Sequence, residues 1–251
     1  MAVGVVRLPA GATILQQLHV EEALFKRHPD RSYLLVHHAA PPAVVLGMSG
    51  QVHRDVVVER VVADGVPVIR RFSGGGTVYV DRSTLFSTLI STADFLRPDQ
   101  VKVFPREVMA WVGGFYRRAF ADAHVEDGAV FALRENDYHT SFLWDFEEVK
   151  LNAYLAHPEK QPAYRLQRPH SDFVCRLRDR FPARSIEDMV GAIRGAMGEL
   201  GVELVDVPAT EVEGALEEAR AAGQLSSHAV ELGLPPAARD TGVERRTHAT
   251  S

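Results

Sequence analysis

The hydrophobic pattern of this chain switches repeatedly between a helical period and a strand-like one. Thr13-x-x-Gln16 reads as a capping box, and Leu15, Leu18 and Phe25 follow on one face, predicting an amphipathic helix over 13–27 that ends before Pro29. Residues 32–37 predict a strand broken by Pro41-Pro42, and 43–46 predict a second one ending at Gly47. A loop over 48–51 and a short helix over 54–64, closed by Gly65, lead into an apolar, β-prone run on both sides of three glycines. Residues 85–90 alternate as a strand. Pro105 opens a helix over 105–120 whose apolar face includes Val108, Trp111, Val112 and Phe115. Gly113-Gly114 inside that helix predict close backbone packing, and Trp111 reads as a core residue.

Two further strand-like runs, 130–134 and 138–145, are separated by Glu135-Asn136-Asp137. A short helix over 147–157 and an irregular stretch over 161–173 follow. Ser185 caps a helix that runs to Gly201, residues 203–207 predict a short strand, and Thr210-x-x-Glu213 opens a last alanine-rich helix. The expected architecture is α+β, a mixed, largely antiparallel sheet with packed helices. Its main domain spans 10–207, a C-terminal helix spans 208–223, and a disordered tail spans 224–251.

Composition narrows the function classes. At 251 residues, 46% hydrophobic and 24% charged, the chain has the balance of a soluble globular protein. A net charge of -5 gives no basic excess for nucleic acid. No apolar run reaches membrane-spanning length, and no targeting segment is evident, so a cytoplasmic or mitochondrial location is expected. Cys175 is the single cysteine, which excludes a disulfide framework and reads as inert packing. The eleven histidines show no metal-ligand spacing, so no protein-held metal site is expected.

The chemistry concentrates at Arg70-Arg71-Phe72-Ser73-Gly74-Gly75-Gly76-Thr77-Val78-Tyr79-Val80-Asp81. Adjacent glycines permit positive φ and close ligand approach, and successive N–H groups in such a turn make a concavity for an anion. Alternation along the preceding strand sends Arg70 and Arg71 to opposite faces, so at least one guanidinium can share that site. Nucleotide-hydrolase and dinucleotide-binding loops are excluded, because no Lys-Ser/Thr pair and no helix follow the glycines. The same run also fits a plain glycine bend.

The ordered string resembles the signature of the lipoate-protein ligase A family, within the biotin/lipoate A/B ligase fold group, and the resemblance extends from about Thr13 to Leu200. It implies ATP-dependent activation of lipoate or octanoate with Mg²⁺, then transfer to a lysine of an acceptor. The implied acceptors are lipoyl domains of 2-oxo acid dehydrogenase complexes or the glycine cleavage H protein. Arg70, Arg71, Ser73, Gly74, Gly75, Gly76, Thr77, Val78, Tyr79 and Asp81 would form the acyl-adenylate site. Asn136 and Asp137 match the family's Asn-Asp pair on the adenosine or metal side. The family's His before the aspartate and its Gly-Asn after it are replaced by Val80 and by Ser83-Thr84.

One part of the resemblance is missing. The family carries a catalytic lysine in a strand reading roughly Lys-x-x-Gly-x-Ala-Gln soon after the Asn-Asp pair. Here Asp137-Tyr138 run straight into His139-Thr140-Ser141-Phe142, so the strand–turn–strand piece and its lysine are absent. Lys26, Lys102, Lys150 and Lys160 are the only lysines, and none has a Gly-x-Ala-Gln neighbour. A ligase-like protein of impaired activity is therefore expected. The alternatives are a non-catalytic acyl- or nucleotide-binding paralogue, a truncated isoform, or an octanoyltransferase, for which Cys175 lacks the expected context.

Overall fold

The computed structural model describes residues 2–9, 11–96, 105–120, 130–134, 137–156 and 174–232. In order these form β1 (Ala2–Val6), α1 (Ile14–Arg27), β2 (Tyr33–His38), β3 (Ala43–Leu46), α2 (Val52–Asp55), α3 (Val58–Ala63), β4 (Val68–Arg70), β5 (Val78–Val80) and β6 (Thr84–Ile90). There follow α4 (Ala93–Leu96), α5 (Pro105–Ala119), β7 (Val130–Arg134), β8 (Asp137–Leu143) and α6 (Glu148–Tyr154). The chain continues with α7 (Leu177–Arg180), α8 (Ile186–Glu199), β9 (Glu203–Asp206), α9 (Ala209–Ala221) and β10 (His228–Ala229).

The strands form two sheets, ordered β7-β8-β6-β2-β1-β9 and β10-β4-β3-β5. Five of the eight pairings are antiparallel, as the expected mixed α+β class requires. Strand alternation divides the apolar residues between layers. On β2, Leu34 and Val36 pack with α5 and α8, whereas Tyr33 and Leu35 pack with α1 and α9. On β3, Val44 and Leu46 pack with α3 and α6. Ala43 and Val45 turn inward to Ile14, Leu18 and Phe86, where the two sheets meet. All seven residues of β6 are buried, so this strand is the spine of the larger sheet.

Local rules set most boundaries. Thr13 and Gln16 form the predicted reciprocal capping box at α1, and Ser185 forms another with Asp188 at α8. Gly65 and Gly201, at φ 63 and 70, sit where their helices stop. Thr210 caps nothing: Pro208 stands at the start of α9 without a side-chain cap bond. The 54–64 helix is two short helices, interrupted where Val56 bridges Leu155.

Three expectations are corrected. The domain starts at β1, not at residue 10, because Ala2–Val6 pairs with both β2 and β9. Order does not end at 224: residues 224–232 lie along α1 and β4, with Leu225, Val230 and Leu232 on apolar clusters. A Cβ on Gly113 or Gly114 would meet only the Arg117 side chain, at 3.7 and 3.9 Å, so no described backbone needs glycine there. Trp111 is a core residue as expected, stacked on Phe115 and edge-on to Phe95. The irregular 161–173 stretch and residues 233–251 lie outside the described residues.

Candidate acyl-adenylate site

The glycine run is not a hairpin. β4 is parallel and β5 antiparallel to the strand between them, β3, so the loop from Arg71 to Thr77 crosses over the C-terminal end of β3. The first residue beyond that end is Gly47, where a Cβ would stand 2.1 Å from the Gly75 carbonyl oxygen. A side chain at 47 would displace the loop. Gly75 itself adopts φ 102, a conformation glycine reaches without steric cost. These two observations give Gly47 and Gly75 a structural reason, whereas a Cβ on Gly76 would meet nothing within 4 Å.

Arg70 and Arg71 do point apart. Arg70 Nη1 donates to the carbonyls of Gly47, Met48 and Gly50 at 3.2, 3.1 and 2.8 Å, so it organises the turn after β3. Arg71 lies beneath the glycine loop and is 5% exposed. Its Nε and Nη2 donate to the Gly74 carbonyl at 3.0 and 2.7 Å, and Nη2 reaches the Gly76 carbonyl at 2.9 Å. Burial pushes its pKa down to about 10, which leaves it charged at neutral pH. No described carboxylate pairs with it.

This arrangement orients the loop. In a trans peptide the carbonyl and the following N–H point in opposite directions. Carbonyls of Gly74 and Gly76 drawn inward to Arg71 turn the N–H groups of Gly75 and Thr77 away from it. Those two N–H groups donate to no described residue. Ser73 is 1% exposed, its carbonyl accepts from Met48 N–H at 2.9 Å, and its hydroxyl has no partner among the described residues. A buried cation, outward N–H groups and a hydroxyl without a described partner, all within residues 71–77, suit an anionic ligand.

The remaining predicted positions divide. Thr77 Oγ1 donates to Asp55 at 3.5 Å, a partner that sequence reasoning missed. Asp55 also accepts from Arg54 and Gln51; burial alone would raise its pKa, but these bonds hold it below the ordinary carboxylate value. Val78 is half-buried in β5. Tyr79 faces the core beside Tyr154, with burial raising its pKa, so it is a packing residue and not a ligand contact. Asp81 Oδ1 accepts from Ser83 N–H and Oγ at 2.9 and 2.6 Å, which commits it to the turn before β6. Asn136 lies outside the described residues. Asp137 pairs with Ile90 at the far end of β6 from Thr84, about 20 Å away at roughly 3.4 Å per residue. The structure therefore does not bring Asp137 to the Asp81 turn.

The lysine positions agree with the sequence reading. Lys26 binds Glu22 at 2.7 Å, and Lys150 binds Glu147 at 2.6 Å on the surface of α6. Lys102 and Lys160 lie outside the described residues. Cys175 is exposed, a correction to its expected packing, and lines a cavity of about 350 Å³ with Phe146, Arg176 and Arg180. No group of three or more His, Cys, Asp or Glu side chains able to hold a metal occurs among the described residues. No described helix is long and apolar enough to cross a membrane.

The model of the lipoyl protein ligase A/B catalytic domain matches residues 13–137, which include the arginine–glycine loop. That match, just under half of the chain's length, is to the catalytic domain of this family. The inactive lipoate–protein ligase 2 of Plasmodium falciparum is 22% identical over 179 residues, covering 52% of this chain and 46% of that protein. The chain thus spans under half the length of that curated relative. Two solved structures share the fold. One is a bi-partite lipoate protein ligase and its E2 lipoyl domain from Thermoplasma acidophilum, with 17% identity, TM-score 0.67, and 87% and 92% of the two chains covered. The other is lipoate-protein ligase A bound with ATP, also 17% identical, with TM-score 0.66 and coverage of 87% and 94%.

Proposed function

We propose that the arginine–glycine loop binds the acid–phosphate junction of a lipoyl- or octanoyl-adenylate, and that this ligase-like chain turns it over poorly or not at all. The observation that carries the binding half is Arg71, a buried guanidinium with no carboxylate partner among the described residues, set under outward N–H groups. In a low-dielectric setting, donors fixed before the ligand arrives need no reorganisation to meet a phosphate or carboxylate. Gly75 and Thr77 N–H would donate to the anion, Ser73 Oγ would gain its missing partner, and Arg71 would supply the charge. ATP, when bound, would supply the adenylyl group, with its α-phosphate at this loop.

The catalytic half rests on a connection. Arg134 and Asp137 are cross-strand partners, and only Glu135 and Asn136 separate them. β8 then runs unbroken from Asp137 to Leu143 and pairs residue by residue with β6, so the lysine-bearing strand–turn–strand expected after the Asn-Asp pair has no place there. Loss of one preorganised donor typically costs about 10²–10³ in rate. Incubation with ATP, Mg²⁺, lipoate and a lipoyl domain should yield no pyrophosphate above a no-enzyme control. Release at ordinary ligase turnover, on the order of 1 s⁻¹, would overturn the reading.

The relative named inactive supports an impaired member. The neighbour solved with its E2 lipoyl domain supports a lipoyl domain as the protein partner, with 2-oxo acid dehydrogenase domains and the glycine cleavage H protein as candidates. An octanoyltransferase reading finds no support around Cys175, which has no described lysine beside it.

A further inference from the structure

The C-terminal segment 224–232 lies against β4, the strand that delivers Arg70 and Arg71 to the loop. β10 pairs antiparallel with it, His228 opposite Arg70 and Ala229 opposite Ile69, and Val230 N–H donates to the Val68 carbonyl at 2.8 Å. Just before β10, Ser227 is buried, and its hydroxyl accepts the backbone N–H of Phe72 at 3.0 Å. Phe72 is the residue between the arginine pair and Ser73. The segment thus holds the entry to the glycine loop from outside, while Arg71 holds its carbonyls from beneath.

A single carboxylate fixes this segment. Glu22 on α1 is 0% exposed. It accepts the Ser226 N–H at 2.9 and 3.0 Å, the Ser227 N–H at 3.1 Å, the Ser226 hydroxyl, and Lys26 Nζ at 2.7 Å. Lys26 also donates to the Gln224 carbonyl, and His19 Nε2 donates to the Ser227 carbonyl at 2.8 Å. Two successive backbone N–H groups closing on one carboxylate form an anion-binding nest, here filled by a side chain of the same protein. A carboxylate accepts at both oxygens, whereas an amide offers one acceptor and two donors that would face the Ser226 and Ser227 N–H groups.

We infer that Glu22 and Ser227 are positioning residues for the glycine loop, Glu22 by holding the 224–232 segment and Ser227 by fixing the Phe72 N–H. The inference concerns the same site as the proposed function and rests on that reading only for its ligand consequence. Neither residue touches the ligand; both act through the loop backbone.

Hydrogen–deuterium exchange on the full chain separates the roles, because local opening is read segment by segment. Glu22→Gln should raise exchange about tenfold in both 224–232 and 68–77, the scale of one lost hydrogen bond, with α5 and α8 unchanged. Ser227→Ala should raise it at 72–77 while leaving 224–226 protected, and Ser227→Thr, which keeps the hydroxyl, should restore protection. Opening of 224–232 without any change at 68–77 would overturn the inference, as would Ser227→Thr behaving like Ser227→Ala. Glu22→Gln that exchanges faster everywhere, α8 included, would also count against it. In parallel, titration with lipoyl-AMP should show about tenfold weaker binding to Ser227→Ala than to wild type. If wild type binds no lipoyl-AMP, the acyl-adenylate reading fails, and the exchange pattern still decides the positioning role.

Discussion

At the scale of single residues, Ser73 and Arg71 separate fold from function. A buried hydroxyl without a partner costs roughly 1–3 kcal/mol, and Ser73 Oγ is such a group among the described residues. Ser73→Ala should therefore leave urea stability unchanged or raise it by about 1 kcal/mol, while weakening adenylate binding about tenfold. Arg71 is the opposite case. Arg71→Ala strips two carbonyls of their charged donor and should cost roughly 2–3 kcal/mol in the same denaturation experiment. The glycines, the arginines and the absent lysine were legible in the sequence because their order along one stretch is specific. Gly47 and Asp55 were not, since their contacts with Gly75 and Thr77 arise only when the end of β3 and the end of α2 come against the loop. Tyr79 was misread as a site residue because strand alternation points it away from the residues beside it.

At the scale of elements, α5 and β8 carry the most direct tests. At Gly113 and Gly114 a Cβ would make only ordinary contact with the Arg117 side chain, at 3.7 and 3.9 Å. Each Gly→Ala replacement should stabilise the chain by about 1 kcal/mol, read as a raised melting temperature. Phe142 on β8 lies edge-on to Tyr116 and Phe120 at 4.8 and 5.2 Å, with 5% exposure. Phe142→Ala should cost about 3–5 kcal/mol by cavity formation. Helices with a full apolar face and a capping box could be read from sequence almost to the residue, as α1 and α8 show. β1 and β10 could not: five and two residues carry no periodicity, and their pairing is long-range. The glycine pair misled because composition cannot tell a glycine packed on another backbone from one facing only a flexible side chain.

At the scale of the molecule, a polar cluster lies within the fold, on α1 and the spine strands. His37 is 6% exposed, bonds Gln17 through Nδ1 at 3.0 Å, and stacks on Phe86. Burial, and secondarily the neighbouring His38, lowers its pKa below the usual 6.5, against an opposing pull from Glu21. The folded state therefore favours neutral His37. Its contribution to stability is complete above pH 6.5 and is lost as pH falls through the lowered value. Melting temperatures should decline below that pH, and His37→Gln should flatten the decline. The Glu22 carboxylate is raised by burial, but its bonds from Lys26, Ser226 and Ser227 prevail and lower it below 4.5. That contribution is present above 4.5 and fades only in stronger acid.

The loop, its buried arginine and the unbroken β8 support one proposed claim together: an anion-binding surface of the lipoyl ligase kind without the catalytic lysine segment. Calorimetric titration of the purified chain with lipoyl-AMP tests this claim most directly. The expected result is saturable one-to-one binding that Arg71→Ala or Ser73→Ala weakens. An absence of binding heat at ligand concentrations up to about 1 mM, where a Kd weaker than that is worth under about 4.1 kcal/mol, would contradict it.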